Sequence, residues 1–165
     1  MKKFTRVAAG LLAVALAATM AAGCSKQGSS SKDSDKFYIG GIGPTTGGAA
    51  VYGNAVKNAA QIAVDEINEA GGINGYKIEY KFEDDEHNAE KSVNAYNSLK
   101  DWGMQILMGT VTTDPCKAVV AESGNDNMFQ LTPSASSTDV IKGKNVFQVC
   151  FTDPNQGTAS AKYIG

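Results

Sequence analysis

Histidine occurs once in these 165 residues, at His87, and tryptophan once, at Trp102. A single imidazole cannot build a multi-histidine metal centre. No G-x-S-x-G sequence supplies a serine for that imidazole to activate, so a serine hydrolase is excluded. Cysteine is limited to Cys24, Cys116 and Cys150, and their spacing matches no metal motif. Spacing alone does not say whether the last two meet; we read them as free thiols. The third glycine of G-x-G-x-x-G is missing after Gly41 and Gly43, and no lysine follows to make a phosphate-binding P-loop, so a dinucleotide or nucleotide site is rejected. Also missing is an apolar run of the roughly 20 residues that a permanent membrane helix needs; the stretch 7–22 falls a little short.

What the N-terminus does contain is a basic start (Lys2, Lys3, Arg6), the uncharged Ala, Leu and Val-rich stretch 7–22, and Ala21-Ala22-Gly23-Cys24. That order is the pattern of a secretory signal. Its Gly-Cys ending resembles the lipobox of bacterial lipoproteins, although Ala21 stands where leucine is commoner. We expect a signal peptide over 1–23, lipidation of Cys24, and a polar tether over 24–36. Residues 25–36 hold no apolar side chain, cannot bury a core, and as a flexible coil span about 20 Å. Residues 1–23 carry three basic and no acidic residues, which leaves 12 Lys+Arg against 17 Asp+Glu, a balance of −5. A negative balance argues against nucleic acid or an anionic membrane surface as partner. The membrane association expected is through the lipid anchor alone.

The remaining residues, 37–165, are enough for one core. Phe37-Tyr38-Ile39 opens an apolar strand that runs into GGIGPTTGG. From Tyr52 to Ala70 the apolar residues Val56, Ala59, Ala63 and Ile67 fall at helical spacing, with Gly71-Gly72 as the stop. Asn74-Gly75 is a turn. Over 77–83 Ile78, Tyr80 and Phe82 alternate with charges, which marks a half-exposed edge strand. Ala89, Val93, Tyr96 and Leu99 mark a second helix, 105–108 a third strand, and Thr113-Asp114-Pro115 a helix start with Thr113 as the capping side chain. That helix is expected to run to about Ser123. Strands follow over 128–131 and 146–151, with a short helical segment over 137–141 between them. Another helix begins near Ala159, and its lack of a stop signal before Gly165 reads as a fragment of a longer protein. Strands and helices in alternation imply an α/β fold: a three-layer α-β-α lobe on a parallel sheet. The edge character of the second strand favours the order 2-1-3-4-5.

In such sheets ligands bind beyond the carboxyl ends of the strands, at the switch point between the first and third. The segments arriving there are 43–52, 110–114 and 132–137, Gly, Thr and Ser loops that run into helix N-termini. Free N–H groups and the positive helix end favour an anion. Thr112, Thr113, Ser134 and Ser136 add hydroxyls, and Tyr52 can cover an apolar group. Singly, Thr113 reads as a cap, Ser134 and Ser136 as turn formers, and Tyr52 as a residue packed on the sheet. Together, at one cleft, they read as a site for a small ligand with a carboxylate and an uncharged body. His87, within EDDEHN, reads as part of a solvated loop. The run Asp84-Asp85-Glu86 lacks the periodic ligands of a calcium loop; its negative charge suits the start of the second helix.

Several stretches carry a resemblance: IGGIGPTTGGAAVYG, AVDEINEAGGINGYKIE, EDDEHNAEKSV and LTPSASS. In this order and spacing, residues 37–165 resemble the N-terminal lobe of the type I periplasmic solute-binding proteins of ABC importers, the branched-chain amino-acid-binding (leucine/isoleucine/valine-binding) family. The resemblance implies a non-enzymatic receptor that captures a branched-chain or similar small amino acid outside the cytoplasm. It would hand the ligand to ABC permease and ATPase subunits, with no cofactor and no metal. It places Thr113 at the hydroxyl that holds the ligand's carboxylate and amino group. Ser134 and Ser136 match the two positions that bind the same groups, and Tyr52 matches the aromatic that lines the side-chain pocket. Family members with a disulfide in this lobe carry cysteine where this chain has His87 and Thr112, so that bridge is absent here. The second lobe would supply an acidic partner for the ligand's ammonium group. A ligand-sensing lipoprotein on the same fold, and more remotely an enzyme based on Cys116, stay open as alternatives.

Overall fold

A computed structural model describes residues 35–165. The signal peptide, Cys24 and nearly all of the tether lie outside the described residues. The first strand, β1 (Lys36–Gly43), opens one residue before its expected start. It leads through 44–49 into α1 (Ala50–Glu69), then β2 (Lys77–Asp84), α2 (Ala89–Trp102), β3 (Ile106–Gly109) and α3 (Thr113–Asn125). After these come β4 (Gln130–Thr132), a 3₁₀ turn (Thr138–Ile141), β5 (Val146–Gln148) and α4 (Asp153–Ile164). The five strands are all parallel and ordered β2-β1-β3-β4-β5. The fold class and the edge position of β2 are therefore as the alternation and the sequence of β2 implied.

The register sorts side chains onto two faces. Gly40, Ile42 and Leu107 point to the face under α2 and α3, where Ile42, Tyr96, Leu99, Leu107 and Val119 form a fully buried core. Each buried side chain of this size contributes about 1.5–3 kcal/mol. Local signals hold α2 in place. The Asn88 side chain accepts from Lys91 N at its start, and Gly103 adopts φ 98° at its end, a conformation that glycine takes without steric cost. Trp102 at that end packs on the core and meets Tyr38 edge-on, with ring centroids 4.9 Å apart. On the other face Ile78, Tyr80 and Phe82 of β2 stand beside Phe37 and Ile39 of β1, and α1 packs over these two strands. A Cβ on Gly53 of α1 would lie 1.8 Å from the Pro44 carbonyl oxygen, so only glycine lets the helix sit this close to the loop that leaves β1.

Several boundaries differ from the sequence expectation for identifiable reasons. The α1 helix starts two residues early, at Ala50. Met128 closes the end of α3, donating its N–H to Ser123 O, so β4 begins later, at Gln130. Similarly, β5 ends at Gln148, three residues short, and Val149 and Phe151 lie exposed beyond it. Most informative is α4, which starts at Asp153 rather than near Ala159. Thr152 caps it through a bond from Asn155 N, with Pro154 in the first turn, a start signal that the apolar spacing hid. No residue of α4 is buried, so it adds nothing to the packed core. Among the described residues no helix is long and apolar enough to cross a membrane.

Candidate functional site

The loops at the carboxyl ends of β1, β2, β3 and β4 converge on a cleft of about 350 Å³ lined by Tyr52, His87, Val111, Thr112, Thr113, Asp114 and Ser134. Three of the four residues predicted to bind ligand therefore meet on one wall. Ser136, the fourth, is joined to it: its backbone N–H donates to Thr113 Oγ1 at 3.2 Å. Tyr52 remains 63% exposed at the rim, so it is free to cover a ligand rather than packed on the sheet. A somewhat larger cavity, about 390 Å³, opens at the amino ends of the strands among Phe37, Ile39, Ile73, Asn74, Tyr76, Ile78 and Ile106. Its lining offers almost no hydrogen-bonding group to orient a ligand, whereas a small-molecule site combines shape with placed polar groups. The carboxyl-end cleft is therefore the candidate site.

Hydrogen bonding fixes the polarity of each hydroxyl there. Thr113 does not cap α3; the cap position is Thr112, and neither side chain makes a capping bond. Because Thr113 Oγ1 already accepts from Ser136 N, its proton is free to be donated outward. Ser134 is the opposite case. Its hydroxyl donates to Val111 O at 2.6 Å, which leaves its oxygen to accept. The N-terminus of α3 lies directly behind Thr113, with the positive end of its dipole towards the cleft. A donor at a helix N-terminus facing the same cleft as an acceptor on the neighbouring loop suits a zwitterion.

Below the surface a buried polar ladder holds these loops. Gln130 donates to Gly109 O at 2.9 Å and accepts from Ser123 Oγ at 2.6 Å. Thr132 donates to Thr110 O and accepts from Ala135 N, and Thr110 donates to Thr112 O. Buried polar groups are tolerated only when paired, and here the pairing carries rigidity from β4 into the site. Burial pushes the Cys116 thiol up from its ordinary value, outweighing the hydrogen bonds around it. A buried, protonated thiol is a poor nucleophile, which removes the basis for an enzyme built on Cys116. Cys116 and Cys150 are both free.

The acidic run after β2 does more than begin a helix. Burial pushes the Asp84 carboxyl up, but bonds from Thr46 Oγ1, Thr45 N and Glu86 N outweigh it and hold the group well below the usual carboxylate range. Asp84 thereby ties the loop after β1 to the end of β2. Asp85 is fully buried, and this desolvation raises its pKa despite bonds from His87 N and Ser92 Oγ. The loop that reads as solvated is thus anchored from inside. His87, held at φ 58°, places its ring in the cleft with Nδ1 2.9 Å from Thr112 Oγ1. The two positions at which the family resemblance implied cysteine in disulfide-bearing members, His87 and Thr112, are here joined by this hydrogen bond. Nothing in the local sequence of EDDEHN marks which acid is buried.

The sequence profile described as periplasmic binding protein matches residues 36–165. A Leu/Ile/Val-binding protein, BraC3, of Rhizobium johnstonii is 40% identical over 131 residues, covering 76% of this chain and 35% of that protein. The crystal structure of the branched-chain amino acid transporter substrate-binding protein LivJ of Streptococcus pneumoniae, in complex with isoleucine, superposes with a TM-score of 0.68 at 30% identity, over 72% of this chain and 34% of LivJ. The fatty acid ABC transporter substrate-binding protein of Thermomonospora curvata gives a TM-score of 0.74 at 23% identity, over 79% of this chain and 33% of that one; at that identity the likeness concerns the fold alone. The chain spans about a third of the length of the curated relatives it matches.

Proposed function

The chain belongs to the periplasmic binding protein family, and from that premise we propose that it is the ligand-capturing first lobe of an amino-acid-binding component of an ABC importer. Residues 37–165 form this lobe, and the remaining length seen in the relatives supplies a second lobe that closes over the ligand, the hinge closure for which periplasmic binding proteins are a standing example. The protein works outside the cytoplasm. Cys24 carries the lipid anchor once residues 1–23 are removed, and the tether over 24–36 keeps the lobe near permease and ATPase subunits. Two or more acyl chains on Cys24 give stable anchoring, each buried CH₂ contributing about 0.8 kcal/mol. No catalysis is involved.

The observation that carries this reading is the opposed polarity of Thr113 and Ser134. Thr113 donates to the ligand carboxylate at the positive end of α3, Ser134 accepts from the ligand ammonium, Ser136 holds Thr113 in place, and Tyr52 covers the ligand's body. Calorimetric titration of the complete protein with amino acids tests it. Thr113→Val is nearly isosteric and removes the donor; it should weaken binding about tenfold or more, because a lost hydrogen bond to a charged group is worth about 1.5–3 kcal/mol. Ser134→Ala should weaken binding by a comparable factor, since it removes the acceptor of the charged ammonium. Unchanged affinity in both variants would overturn the site.

A further inference from the structure

His87 is the one cleft residue contributed by the β2–α2 turn, and the proposed capture of carboxylate and ammonium does not use it. Two anchors place its ring. The backbone N–H donates to the buried Asp85 carboxylate at 2.9 Å, and Nδ1 meets Thr112 Oγ1 at 2.9 Å. With Nδ1 engaged, Nε2 is the only other polar atom of the ring, and among the described residues it makes no hydrogen bond. Around it Thr112, Thr113, Asp114 and Ser134 bring polar atoms into a lining that is otherwise mostly carbon, with Tyr52 at the rim and Val111 only 1% exposed. The Asp114 carboxylate on the same wall opposes an acidic ligand side chain.

Resting on the amino-acid reading above, we infer that His87 Nε2 meets the ligand's side chain, and that the preferred ligand carries an uncharged hydrogen-bonding group there, a hydroxyl or a carboxamide. A polar group held on a binding wall rejects an analogue that lacks the matching group, because the wall's own group is then desolvated without a partner. Threonine and valine isolate this effect, since they share a shape and differ by a hydroxyl against a methyl.

The test is calorimetric titration of the complete protein with L-threonine and L-valine, alongside His87→Asn and His87→Gln, each checked by thermal melting. Asparagine reproduces the Nδ1 contact to Thr112 without Nε2; glutamine reaches the Nε2 position. The natural protein should bind threonine about tenfold more tightly than valine, the worth of one net hydrogen bond. His87→Asn should lose that preference by weakening threonine while leaving valine unchanged, and His87→Gln should retain it. Valine bound as tightly as threonine, or an equal loss for both ligands in His87→Asn, overturns the role of His87 and leaves the amino-acid reading standing. Failure to bind any of the twenty amino acids overturns that reading and this inference with it.

Discussion

The two faces of the sheet are finished to different degrees. Under α2 and α3 the surface is closed: Tyr96, Leu99, Leu107 and Val119 are fully buried, and the Tyr96 hydroxyl donates to Asp126 at 2.9 Å. On the opposite face α1 packs over β1 and β2, but Phe129 and Phe147 of the β4–β5 half stack 5.2 Å apart and stay open, Phe147 at 49% exposure. The strands are the same, and each sends alternate side chains to both sides. The difference lies in which helices are present to receive them. An exposed apolar patch of this kind is uncommon on a finished monomer, and α4, with no buried residue, does not cover it.

Three substitutions test that contrast. Leu99→Ala, on the closed face, should cost about 2–5 kcal/mol in chemical denaturation, because it leaves a cavity the surrounding core cannot fill; a loss below about 1 kcal/mol would mean that this face is looser than described. Asp84→Asn, at the rim of the half-covered face, should cost about 1 kcal/mol near neutral pH, a figure discounted for the partial exposure of its bonds. Asp84 has a lowered native pKa, so its contribution is present above the ordinary carboxylate value of about 3.9. It is lost as the pH falls below that value towards the lowered native one. Wild type and variant should therefore converge in acid, and a constant difference across pH would show that the charge plays no part. Phe147→Ser, on the open half, should cost this chain only about 0.5–1 kcal/mol, the worth of its stack on Phe129. A loss of several kcal/mol in the complete protein would identify a covering segment.

The sequence made the closed face, the edge strand and the cleft legible because each depends on local pattern. Alternation in β2 revealed an edge, helical spacing in α2 revealed a buried stripe, and Gly, Thr and Ser at strand exits marked the loops that surround the cleft. The parts that could not be read depend on distant partners. Asp84 and Asp85 are neighbours with the same side chain, yet one accepts bonds from Thr45 and Thr46 and the other is buried against Ser92 and the N–H of His87. No local signal separates them. The expected capping by Thr113 was wrong for the same reason, because Ser136, 23 residues away, claims its oxygen. His87 entered the cleft through an anchor to a buried acid that reads as solvated.

The bonds from Ser134 to Val111 and from Ser136 to Thr113 also bear on time. They fasten the loop after β4 to the loop after β3 before any ligand arrives, so this wall does not have to be ordered during capture. On the proposed mechanism, the ordering cost that usually taxes association then falls on the closing movement alone. First contact with this lobe should proceed at the pace of diffusion to a rigid surface, and the lifetime of the captured state should be set by how long closure lasts.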